Sequence, residues 1–151
     1  MISYDIEKLA SIRKDIEPLL LLHWEEIALD KDKIHLDVDW DSYQRLEDNG
    51  NLIIITVRIN SELIGYALWF VREHLHYKNT KWAYNDVIFL KKEHRSHGLG
   101  GHLIRVCEDL LKEMKVDKIQ WHLKVTNNWT PVLEKMGYKL EEYVVGKFVG
   151  E

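Results

Sequence analysis

The stretch Asp86-Val87-Ile88-Phe89-Leu90-Lys91-Lys92-Glu93-His94-Arg95-Ser96-His97-Gly98-Leu99-Gly100-Gly101-His102-Leu103-Ile104 decides the fold. It begins as the end of a buried strand, passes through a short cationic loop, and reaches glycines that open an amphipathic helix. That helix, from Gly98 to about Met114, carries Leu99, Leu103, Val106, Leu110 and Leu111 along one side. Glycines at such a point let backbone amides approach a ligand, and unpaired N–H groups at a helix start attract anions. The pattern therefore reads as a phosphate cradle, against the alternative that the glycines serve only a tight turn. Two common phosphate motifs are excluded: no Lys-Ser/Thr pair follows Gly100, and Leu103 stands where the dinucleotide fingerprint needs its third glycine.

Working outward, the order of elements is helices, three strands, helix, strand, helix, strand. Met1 to Ile6 reads as a short strand, and Leu9, Ile12, Ile16, Leu19, Leu20, Trp24 and Ile27 form a helical stripe. Pro18 predicts two helical pieces or one kinked helix between about Ile6 and Leu29. A helix from about Trp40 to Asp48 follows, with Asp39 or Asp41 as N-cap and Asn49-Gly50 as its stop. Asn51–Ile59 and Leu63–Arg72 predict an antiparallel hairpin about the turn Asn60-Ser61-Glu62, and about Thr80–Leu90 a third strand. Lys118–Val125 reads as another strand, Trp129–Met136 as a short helix closed by Gly137, and Tyr138–Phe148 as a last strand. One α/β (α+β) domain over residues 1–151 accounts for this order.

The segment Arg95-Ser96-His97-Gly98-Leu99-Gly100 fits the Arg/Gln-x-x-Gly-x-Gly/Ala signature and resembles the GCN5-related N-acetyltransferases, the GNAT superfamily. The resemblance extends to Glu134-Lys135-Met136-Gly137-Tyr138 and, in order and spacing, from about Asn51 to the C-terminus. With His-Leu-His-Tyr at 74–77, the chain is also similar to short acetyltransferases of bacteriophages and prophages. The resemblance implies a GNAT fold, a mixed and mostly antiparallel central sheet with helices on both faces. It further implies acetyl-CoA as co-substrate, its pyrophosphate on the amides of Arg95, Ser96, His97, Gly98, Leu99 and Gly100, with Gly101 adjoining. Ile88, Phe89 and Leu90 would offer backbone groups to the pantetheine arm, and Asn127 or Asn128 would sit near its lower end; an asparagine there equally suits a helix cap. Two departures stand out: Leu133 occupies the position where many members carry a thiolate-protonating tyrosine, leaving Tyr143 or water as candidates, and Lys92 replaces a loop proline.

Acetyl transfer to an amine needs that amine neutral, and a carboxylate facing the cleft serves as base. Asp86 lies nine residues before Arg95 on the strand expected beside the thioester, and is the leading base against a structural role as a loop cap or a partner of Arg72. Glu25 and Glu26 border the expected acceptor site, where one could hold a cationic substrate; a solvated helix face explains them as well. His74 and His76 alternate as on a strand and enter as acceptor-site or base candidates. Trp40 and Tyr43 are placed at the acceptor mouth, and Cys107 in the core.

Composition narrows the classes. Lys plus Arg number 21 and Asp plus Glu 25, a net charge of −4 that argues against nucleic-acid binding. A single Cys107 excludes a disulfide framework and a Cys-rich zinc site, and no metal ligand set is expected from the spacing. No apolar stretch approaches the ~20 residues that span a bilayer, and no secretory signal is recognisable, so the expected compartment is the cytoplasm and no membrane partner is expected. The aspartates 30, 32, 37, 39 and 41 suggest a cationic acceptor. The expected partners are acetyl-CoA and an amine acceptor, with a homodimer through a strand edge also open. A non-catalytic CoA-binding module acting through a protein partner is the alternative.

Overall fold

Apolar and β-branched residues running almost without break over two consecutive segments build the centre of a five-stranded sheet. The computed structural model of the protein describes residues 1–96 and 98–151. Strands β1 (Ile2–Ile6), β2 (Leu52–Ile59), β3 (Glu62–His74) and β4 (Tyr77–Leu90) pair antiparallel in that order. The short β5 (Lys118–Gln120) joins β4 in parallel, so the sheet is mixed and mostly antiparallel. Its middle strand β3 is buried without break from Leu63 to Trp69, which is the mark of a strand covered on both faces.

Side-chain alternation sorts the core into two layers. On one face Ile54, Tyr66, Leu68 and Phe89 meet α1 (Leu9–Ile27) through Leu9, Ile12, Ile16 and Leu19, with Trp40, Tyr43 and Leu46 of α2 (Trp40–Asp48) alongside. On the other, Ile55, Val57, Ala67, Trp69 and Ala83 meet α3 (Leu99–Glu113) through Leu103, Cys107 and Leu111. α4 (Thr130–Lys135) follows β5 and buries Leu133. At Gly65 the strands approach so closely that a Cβ would lie 2.8 Å from the Phe89 carbonyl oxygen, which explains a glycine in a central strand.

Helix α2 starts as expected, with Asp39 accepting the Ser42 N–H at 2.9 Å. Helix α1 runs through Pro18 as one element; Pro18 and Lys14 are both exposed, so the carbonyl deprived of its helix bond lies on the wet side.

Three strand boundaries depart from expectation. β4 begins at Tyr77 rather than about Thr80, so β3 and β4 form one long hairpin with Leu75-His76 at its tip. His76 therefore does not share a strand with His74. β5 stops at Gln120 instead of reaching Val125, because β4 and β5 part after Tyr84. No strand forms over 138–148: Tyr143, Val144 and Val145 stand exposed, and the segment touches β5 through side chains, Glu141 meeting Lys118 and Gln120. Apolar alternation there has no ladder to join. Among the described residues no helix is long and apolar enough to cross a membrane.

Candidate active site

The register between β3 and β4 slips by one residue at a single place that matters for chemistry. Leu68 is opposite Val87 and Trp69 opposite Asn85, so Asp86 has no partner and forms a β-bulge. Tyr84 lies on the α1/α2 face and Asn85 on the α3 face; the extra residue puts both Asp86 and Val87 back on the α1/α2 face. Asn85, only 1% exposed, fastens the bulge by donating from Nδ2 to the carbonyls of Leu68 at 3.3 Å and Val87 at 3.1 Å. The Asp86 carboxylate accepts the Tyr43 hydroxyl at 2.5 Å, and this, not Arg72, is its partner. Arg72 instead lies over the Tyr84 ring, 4.9 Å from its centroid.

Burial pushes the Asp86 carboxyl above the ordinary carboxylate range, only partly opposed by the Tyr43 hydrogen bond and the charge of His122. Burial and the neighbouring carboxylate push the Tyr43 phenol up as well, so it stays protonated and donates. A carboxylate raised in this way, half-buried on the wall of a cavity, has the character of a general base.

Beyond Tyr84, β4 has β3 on one side only. Two hollows open along this stretch, with only Val87 of β4 between the residues that line them. The smaller, of about 230 Å³, runs past Ile88, Phe89 and Leu90 to Gly100 and is bounded by His23, Glu26, Asn127 and Trp129. The larger, of about 1110 Å³, lies on the α1/α2 face and is walled by β3, β4 and β5, with Glu141, Glu142 and Val144 of the tail. Asp86 and Asn85 mark its near end, and His76 its far end.

The glycine loop frames the smaller groove. Gly98 adopts φ +75° as the N-cap of α3, a conformation costly for any side-chain-bearing residue. The first-turn N–H groups of Leu99, Gly100 and Gly101 lack intrahelical acceptors, and a Cβ on Gly100 or Gly101 would meet nothing within 4 Å. Free donors at a helix start whose glycines leave the adjoining surface bare suit a pyrophosphate, and a one-sided strand suits an extended amide-bearing arm, so these residues fit CoA. Arg95 lines the groove with its guanidinium already engaged. Its Nε donates to the Leu90 carbonyl at 2.8 Å and its terminal nitrogen to both Glu26 oxygens at 2.9 and 2.6 Å, bracing the loop against α1. His23 is 6% exposed, its ring 5.2 Å from that of Phe89, and burial pulls its pKa down to about 4, leaving a neutral imidazole at neutral pH.

Of the residues singled out in the sequence, Ile88, Phe89, Leu90, Arg95, Gly100 and Asn127 line the small groove. Gly98, Leu99 and Gly101 adjoin it in the loop and first turn, with Ser96 just before; His97 lies outside the described residues. Asn128 is instead a turn former, its Oδ1 accepting the Thr130 N–H at 3.1 Å. Glu25 lines neither hollow and its carbonyl accepts from Lys31, whereas its neighbour Glu26 holds Arg95. His76, in the hairpin tip, is ~30 Å of strand from Asp86 and too far to share a reacting atom with it. Leu133 is a core residue, and Tyr143, 85% exposed, does not line either hollow. Burial pushes the Cys107 thiol up to about 12, which removes it as a nucleophile. The aspartates of 30–41 line neither hollow, and Asp39 is spent on its cap. Among the described residues no group of three His, Cys, Asp or Glu gathers as a metal would require.

Sequence reasoning missed Glu26 as the loop brace and missed His122 altogether. Both become visible only through strand register and helix placement.

The sequence model of the Acetyltransferase (GNAT) family matches residues 13–138. The chain belongs to this family. No curated protein matches it in sequence. Solved structures share the GNAT fold along nearly the whole chain. A transcriptional regulator from Bacillus halodurans superposes with TM-score 0.78 at 15% identity, over 99% of this chain and 100% of that one. An aminoglycoside acetyltransferase from an uncultured soil metagenomic sample gives 0.76 at 15% identity, over 99% of each chain. A predicted acetyltransferase from Clostridium acetobutylicum, solved with acetyl-CoA, gives 0.72 at 15% identity, over 98% of this chain and 96% of that one. At such identity the likeness concerns the GNAT fold; the acceptor is a separate question.

Proposed function

We propose that the protein is a single-domain, cytoplasmic, acetyl-CoA-dependent N-acetyltransferase that moves an acetyl group directly to a primary amine in a ternary complex. The observation that carries this reading is the position of Asp86: a raised carboxylate, held by Tyr43 at a bulge, between a groove suited to CoA and a cavity large enough for a second substrate. The free N–H groups of Leu99, Gly100 and Gly101 would take the pyrophosphate, and the one-sided edge at Ile88 and Phe89, with the Leu90 carbonyl already held by Arg95, would hold the arm and polarise the thioester carbonyl. Asp86 would accept the amine's proton as nitrogen attacks, and closeness of the two substrates would supply much of the rate. Asp86 and Glu142 give the larger cavity carboxylates for a cationic acceptor such as an aminoglycoside, a polyamine or a lysine side chain.

The second reading is a CoA-binding module without catalysis. It is favoured by Leu133, whose core position removes the proton donor that many relatives carry. Acetyl-CoA raises the melting temperature under both readings. Release of free thiol in the presence of amines, followed with a chromogenic disulfide, occurs only under the first; silence across all three amine classes, with binding intact, leaves the module.

A further inference from the structure

We propose that His122 is the catalytic acid of this site, giving its proton to the departing CoA sulfur and completing a proton circuit with Asp86 across the fork between β4 and β5. The inference rests on the acetyltransferase reading and adds the residue that Leu133 leaves missing.

Register places the two groups together. Trp82 is opposite Lys118, Ala83 opposite Ile119 and Tyr84 opposite Gln120. The offset of thirty-six, carried two residues past the ladder, makes His122 the counterpart of Asp86 on the same face, and the His122 charge is felt at the Asp86 carboxyl. The rings agree with that placement: Tyr84 and His122 have centroids 6.0 Å apart, and Lys118 reaches over Trp82 at 5.6 Å on the same face. Both Asp86 and His122 line the larger cavity, while the groove begins at Ile88. No direct hydrogen bond joins them. Parallel strands are about 4.8 Å apart where paired and wider at a fork, so the reacting atoms have room between the two side chains. Imidazole is the side chain that both gives and takes a proton near neutrality. The exposed Tyr143 and the core residue Leu133 offer no competing donor.

The protons balance. An ammonium acceptor gives one proton to the Asp86 carboxylate, and its nitrogen bonds to the thioester carbonyl carbon. The carbon–sulfur bond breaks, its electron pair goes to sulfur, and the His122 imidazolium protonates that sulfur. The remaining surplus proton on nitrogen passes to the now neutral His122, and Asp86 sheds its own to solvent. One thiol, one amide and one free proton result.

The test uses His122→Gln in the full chain. Acetyl-CoA affinity, read by thermal shift, is expected to stay within twofold of wild type. Turnover with a fixed amine should fall at least tenfold, and the limb on which kcat declines as pH rises should vanish. The other ionisable groups lining the cavity with His122, namely Arg72 and His74 of β3, His76 at the hairpin tip, Tyr77, Tyr84 and Asp86 of β4, Lys118 of β5 and Glu141 and Glu142 of the tail, are unchanged in this variant. Independently of activity, the Asp86 carboxyl, followed by carbon-13 chemical shift, should titrate at higher pH in His122→Gln, since a positive neighbour has been removed. An active wild type matched by His122→Gln at every pH, or an Asp86 titration that does not move, overturns the assignment alone. A wild type that binds acetyl-CoA yet releases no thiol with any amine overturns the transferase reading and the assignment together.

Discussion

Replacing Tyr43 by Phe isolates one hydrogen bond. The Tyr43 hydroxyl donates to Asp86 at 2.5 Å, and its ring stacks on Phe70 with centroids 6.3 Å apart, a contact that Phe keeps. A hydrogen bond to a charged acceptor contributes about 1.5–3 kcal/mol, and one pKa unit corresponds to about 1.4 kcal/mol. The bond favours the ionised form, so its loss raises an already elevated Asp86 by about one to two units. A base must be deprotonated to act. The low-pH limb of kcat/KM should therefore move to higher pH by the same one to two units, costing about ten- to a hundredfold in rate at a pH on that limb and little above it. Thiol release measured from pH 5 to 9 at subsaturating amine reads this directly. A uniform loss at every pH, or an unmoved limb, would refute the argument and make Tyr43 a packing or acceptor contact.

Other outcomes follow from the same geometry. His23 has its folded pKa lowered to about 4, so the unfolded chain binds the extra proton first as pH falls below about 6.5; stability should drop by roughly 3 kcal/mol between there and pH 4, and urea titrations of His23→Leu should lack that slope. Gly100→Leu should fold at least as well as wild type, since nothing lies within 4 Å of the new Cβ and glycine is a poor helix former, yet weaken acetyl-CoA binding tenfold or more by thermal titration; unchanged binding would place the cofactor elsewhere. Gly65→Ala should cost about 1–3 kcal/mol in chemical denaturation, because its Cβ would press on the Phe89 carbonyl oxygen; a neutral result would mean that the β3–β4 pairing yields there.

What the sequence makes legible is what nearby residues determine. The stripe of α1, the Asp39 cap, the hairpin between β2 and β3 and the glycine-led start of α3 each rest on signals a few residues apart. The bulge is different: Asp86 is out of step only with respect to Leu68 and Trp69 on another strand, and a single strand carries no trace of it. The same holds for Tyr43 on Asp86 and Glu26 on Arg95, pairs brought together by packing of α2 and α1 on the sheet. His122 lies past the last paired residue of its strand, so the cavity it shares with Asp86 follows from where the two strands part and not from its sequence neighbours. The tail shows the opposite failure. Its apolar alternation is real, but alternation states what a strand could bury, not that a neighbour is there to pair with.

That tail separates two jobs usually carried by the same residues. The sheet and helices that hold Asp86 and the glycine loop are tied by ladders and buried side chains, so most changes there are felt throughout the domain. One wall of the larger cavity is instead a stretch fastened by the contacts of Glu141, with exposed side chains on either side. Residues placed so loosely can be exchanged at almost no thermodynamic expense. Under the acetyltransferase reading, acceptor choice can accordingly drift, or be engineered, by rewriting Glu142 and Val144, while Glu141, the groove and Asp86 pass through unaltered.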